Sequence, residues 1–264
     1  MDIHWQINAS AGCFHAAECL VRGESLENGP LAESFGPLVA RLEELMALSG
    51  LPASSYLAHL VPLSAQLDSN RQLATALLGK TFGAQKSEPY VSPLTNLLTE
   101  FEGTYQRVAP AAAEELAQSA AELRRRWAAY GETLLSGIAF QIEPEMIVQS
   151  ATALLLPPVC GGSGHAYLYY NSAGLEVLEA DPIRELPEIV RLCWLIAQLN
   201  ADLPMYQGEI HRDRLLEIVP RAMIPAALSA AAELGLARLD APTIGRAMAA
   251  WVAGAPDVAS TSAS

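Results

Sequence analysis

Near the N-terminus, Cys13, His15 and Cys19 place two thiols and an imidazole within seven residues, and on a helix His15 and Cys19 share a face at i and i+4. Those are metal-ligand types at a usable spacing. The set still needs a fourth ligand, and neither a CxxC nor an HxxxH pattern supports it. Free cysteine is among the most buried residue types, so the spacing predicts a core helix whose thiols pack as small apolar groups, with no metal and no cofactor. Cys160 and His165 offer a different chemistry, a thiol nucleophile with an imidazole base, if the two meet in an electropositive setting.

The run Gly161-Gly162-Ser163-Gly164 invites comparison with phosphate cradles. A P-loop needs GxxxxGK[ST] feeding a helix, whereas this run joins two predicted strands, so it reads as a loop that needs positive φ. No G-x-S-x-G elbow surrounds Ser163, which argues against a serine hydrolase. The acid pairs Glu143 with Glu145 and Glu176 with Glu179 lie near the predicted strands, and acid/base work would require burial to drive their pKa values apart. They read as strand-edge acids. Arg124, Arg125 and Arg126 read as a solvated helix stripe rather than an anion site, and His4, His59 and His211 are isolated.

These residues are positioned by a chain of 264 residues, 51% hydrophobic and 17% charged, which is enough apolar material for a sizeable core. Acids exceed bases by 29 − 16 = 13, which argues against nucleic-acid binding. No window of about 18 residues is apolar without charge or proline, and MDIHWQINAS lacks the basic and apolar regions of an export signal. The expectation is a cytoplasmic protein off the membrane, with four scattered cysteines as free thiols.

Alternation over residues 3–7 predicts a strand, followed by a helix capped by Asn8 or Ser10 and running to Val21. Helices are predicted from about Leu38 to Gly50, after Pro52, over 70–78, over 93–107 and over 110–135, with a loop at Ser87-Glu88-Pro89. The texture changes after Pro144. Residues 146–156 predict a strand, and 165–170 with 175–178 flank a hairpin turn at Asn171-Ser172-Ala173-Gly174. A buried helix over 183–200, a segment from Arg212 interrupted by Pro220 and Pro225, a helix near 243–252 and a disordered tail 253–264 complete the chain. The fold class is α+β, mainly helical: one domain over 1–252, with a helical lead-in to residue 143 and a small antiparallel sheet or hairpin beside a buried core helix. Met223 to Leu234 would suit a homodimer interface or an internal core equally.

Leu186-Pro187-Glu188-Ile189-Val190-Arg191-Leu192-Cys193-Trp194 opens the buried helix directly after the hairpin. That order of elements, with the helical segments Ala9 to Val21 and Gly36 to Leu67 ahead of it, resembles the minimal gluzincin-type metallopeptidases over about residues 1–220. Their first core helix carries HExxH, in which two imidazoles on one face hold zinc and the Glu between them activates a bound water. The resemblance places Pro187 and Arg191 at the ligand positions and leaves only Glu188, as a vestigial general base, with Glu209, Asp213 or Glu217 for the acid of the later helix. It implies a pseudo-peptidase without zinc, in which Arg191 forms an ion pair with one of those acids. Cys160, His165, Tyr169 and Tyr170 would be the other polar residues of the former cleft. The function so implied is binding of a peptide or protein partner. The alternatives are a helical interaction or scaffold module unrelated to peptidases, and a hydrolase using Cys160 and His165.

Overall fold

The computed structural model describes residues 1–48, 53–82, 84–178, 185–203 and 210–252. Glu179, Glu209, the start of the predicted helix at 183 and the predicted disordered tail lie outside them. The chain divides into two compact units: Gln6–Gln118 with Leu154–Gly161, and Met1–Trp5 with Ser119–Ala153 and the chain from Gly162 onward. The division does not follow the change of texture at residue 144.

The unit built on Gln6–Gln118 is helical. Asn8 Oδ1 accepts from Ala11 N at 3.0 Å and starts α1 (Ala9–Val21), in which Ala11 to Cys19 are all buried. Asn28 caps α2 (Gly29–Ala47) in the same way, and α3 (Ala53–Ser64), α4 (Asn70–Phe82) and α5 (Ala84–Val108) follow. At the centre Phe101 meets Phe14 and Phe35 edge-on, with ring centroids 6.5 and 5.1 Å away, the geometry that aromatic quadrupoles favour. The predicted loop at Ser87-Glu88-Pro89 is instead part of α5. Val91, Leu94, Leu97, Leu98 and Phe101 bury one continuous stripe, and that burial offsets the hydrogen bonds lost at Pro89 and Pro93.

The other unit holds a four-stranded sheet in the order β1-β2-β4-β3, formed by β1 (Asp2–Ile7), β2 (Ser150–Leu156), β3 (Gly164–Tyr167) and β4 (Ser172–Glu176). Residues 2–5 of β1 and 150–153 of β2 belong to this unit. β2 is shorter than predicted because Pro144–Met146 forms a 3-10 turn. The hairpin turn also moves. Leu168–Tyr170 form a 3-10 turn and Asn171 takes the left-handed conformation at φ 48°, so Ser172, Ala173 and Gly174 are strand residues paired with Tyr167, Ala166 and His165.

The predicted helix 110–135 is a longer rod, α6 (Ala112–Arg126) and α7 (Glu132–Gln141), joined by a π-helical turn at Trp127–Gly131. Gly131 is required there, since a Cβ would lie 2.4 Å from the Trp127 ring. Arg125 and Arg126 pair with Glu122 along this rod and Arg124 lies over Trp5, as expected of a solvated stripe. Every residue of α8 (Glu188–Ile196) is buried. Gly164 lets β3 lie directly against α8, because a Cβ there would meet Leu195 Cδ1 at 2.9 Å. On another side Trp194 Nε1 donates to Pro220 O at 2.8 Å, on α9 (Arg212–Glu233), and the Trp194 ring packs against Trp251 of α10 (Ala241–Trp251).

Pro220 and Pro225 do not interrupt α9 as predicted; the helix runs through both. Residues 214–233 of α9 are long and apolar enough to cross a membrane, yet half of that stretch is buried within the protein. Met223, Ile224, Ala227, Leu228 and Ala231 are buried in the core. α7 and α9 approach closely at Gly137 and Ala230.

Candidate functional site

Glu176 ends β4 fully buried, and its side chain turns back to the glycine run. Its Oε2 accepts from Gly162 N at 2.7 Å and Ser163 N at 2.9 Å, while Glu176 N donates to Ser163 O at 2.9 Å. The amides that could have cradled a phosphate are thus held by a carboxylate of the chain itself. Gly162 has φ 114°, a conformation L side chains rarely adopt, and a Cβ there would lie 3.1 Å from Leu178 Cδ1 and 3.2 Å from Arg191 Nη1.

Arg191 is the cation of this cluster and is 2% exposed. Its Nη2 donates to Glu188 Oε2 at 2.6 Å and to Glu176 O at 2.8 Å, while Nε has no hydrogen-bond partner among the described residues. Glu188 and Arg191 sit one turn apart on α8, so i, i+3 geometry on a wholly buried helix brings them together. Of the acids expected to pair with Arg191, only Glu217, on the following helix, has a described side chain. Glu217 is exposed there and lies 3.9 Å from Arg214; Glu209 and the side chain of Asp213 are outside the described residues. Nor do Glu188 and Arg191 line an open cleft, since both are buried.

The other predicted positions are distributed as follows. His165 on β3 is half-buried and packs against the Tyr167 ring at 4.8 Å. Tyr169 in the 3-10 turn is 60% exposed, and burial pushes the Tyr170 phenol up to about 12. Cys160 is half-buried in the other unit, where its Sγ, Cys19 Sγ and a carboxylate oxygen of Glu24 all lie within 4.8 Å of one another. His15 Nε2 is 3.7 Å from Cys19 Sγ. Cys13 does not belong to this group: it is buried, and desolvation, with the Glu102 charge second, raises its pKa well above the ordinary thiol value.

Sequence reasoning took Glu176 for a strand-edge acid and did not consider Glu24. The signal for Glu176 was its place after a glycine run whose amides need an acceptor. For Glu24 it was Gly23, a helix C-cap glycine that folds the chain back over the last turn of α1. No family model, curated protein or solved structure matches the chain.

Proposed function

We propose that the protein is a catalytically inactive, peptidase-like binding protein that engages a peptide or protein partner. The observation that carries this reading is the buried Glu188–Arg191 pair. A general base must offer a lone pair to a water beside the substrate. Glu188 offers it to the guanidinium of Arg191, and its neighbours in the motif, Pro187 and Arg191, supply no metal ligand.

Binding is supported by the position of β3. It ends the strand order, so among the described residues one of its edges has no neighbouring strand, and Tyr169 stands exposed in the turn that follows. An extended peptide can add to such an edge through main-chain hydrogen bonds. The test uses fluorescein-labelled casein with added zinc, and peptides selected on the purified protein from a phage-displayed random library. The reading expects no cleavage, and amide exchange slowed at Gly164–Tyr167 when selected peptides bind. Cleavage abolished by Glu188→Gln, or protection confined to other segments, would overturn it.

A further inference from the structure

The four side chains gathered at the C-terminal end of α1 have no part in that reading. The local sequence brings them together in three steps. Helical spacing puts His15 and Cys19 on one face, with Nε2 and Sγ 3.7 Å apart. Gly23, at φ 76°, then ends α1 with paired reversals: Gly23 N donates to Leu20 O and Glu24 N donates to Cys19 O, both at 2.9 Å. That closure returns Glu24 to the level of Cys19. Finally, Glu27 N donates to Val159 O at 2.8 Å, and Gly161 passes so near Glu27 that a Cβ would meet its carboxylate at 2.7 Å. This fastens residues 159–161 alongside the reversed segment and delivers Cys160.

We infer that Cys19, Glu24 and Cys160 form a binding site for a zinc-class dication, with His15 as its fourth ligand. Two thiols, a carboxylate and an imidazole are the donor set of borderline metals, whereas calcium and magnesium take oxygen alone. Zn–S and Zn–N bonds of about 2.3 and 2.0 Å at a tetrahedral angle put the two donor atoms about 3.5 Å apart, close to the 3.7 Å between His15 Nε2 and Cys19 Sγ. Cys19, Glu24 and Cys160 offer donor atoms within 4.8 Å of one another, and His15 adjoins this trio through Cys19. Cys19 and His15 are buried while Glu24 and Cys160 are half-buried, so a metal has a path in from solvent. Bound there, it would tie the end of α1 to the segment after β2.

The test is cobalt titration of the full chain, stripped with chelator under reducing conditions. One equivalent should bind with intense thiolate-to-cobalt charge transfer and the visible bands of a tetrahedral ion, and zinc should displace it. Cys160→Ser should cut the charge-transfer intensity by about half, as expected for one of two thiolates. Glu24→Gln and His15→Ala should each weaken affinity by about tenfold or more. Cys160 and Glu24 are half-exposed, so those two variants keep the test valid if changes at buried His15 impair folding. The inference is overturned if no thiolate charge transfer develops, if Cys160→Ser leaves it unchanged, or if air oxidises Cys19 and Cys160 to a disulfide as readily with saturating zinc as without. None of these readouts involves peptide binding or hydrolysis.

Discussion

Arg191 Nη2 lies 2.6 Å from Glu188 Oε2, one turn away on the buried helix α8, and the same nitrogen holds the main-chain carbonyl of Glu176 at 2.8 Å. One guanidinium thereby joins the start of α8 to the end of β4, and Glu176 in turn holds the amides of Gly162 and Ser163. Arg191 is thus the hub of a structural network.

Replacing Arg191 with Met should therefore destabilise the protein by about 3–5 kcal/mol, because Glu188 would remain as a buried, uncompensated charge. Pairing it with Glu188→Gln should recover a large part of that loss. Urea unfolding of the two single variants and the double gives the coupling; additive effects would mean that the pair contributes nothing as a pair.

Two glycines with positive φ should respond differently to alanine. At Gly162 the new Cβ meets Leu178 and Arg191 in addition to the backbone strain, whereas at Gly23 no atom lies within 4 Å. Gly23→Ala should cost about 1–2 kcal/mol from the left-handed backbone alone, and Gly162→Ala more. Thermal unfolding of the two variants ranks them.

At the α7–α9 contact, Gly137→Ala would place its Cβ 2.9 Å from Ala230 Cβ. Overpacking of this kind costs about 1–3 kcal/mol. Adding Ala230→Gly should restore most of the loss despite the lower helix propensity of glycine, and an unrescued double variant would show that the helices meet elsewhere.

His59 sets a pH dependence. Burial, with Lys80 second, lowers its pKa in the folded protein, so between the folded value and the unfolded value of about 6.5 the unfolded chain binds more protons. Stability from this residue is complete above about pH 6.5 and falls as the pH drops through the folded pKa. His59→Gln should flatten the melting temperature against pH across that window, as differential scanning fluorimetry would show.

Much of the architecture can be read from local signals. The N-cap Asn8, the turn-and-glycine chemistry of residues 161–164 and the apolar run Leu192–Ile196 of α8 each act within a few residues, so the chain alone determines them. Prolines misled because their cost is local while the burial that offsets it is not. Pro89, Pro220 and Pro225 each sit in a helix whose apolar face is covered by distant segments. The hairpin turn slipped because Asn171 alone supplies the left-handed residue, and Gly174 is needed instead inside a strand.

The chemistry divides in the same way. Residue types and helical spacing determined that His15 faces Cys19 and that Glu188 lies one turn from Arg191, because both pairs belong to single helices. Only the tertiary structure decided that Glu176 closes over the glycine run and that Cys160 joins Cys19 and Glu24. Those meetings depend on strand pairing and on a helix reversal set beside a remote segment. Which partner a buried charge or thiol finds is a question of long-range packing, and spacing along the chain carries no record of it.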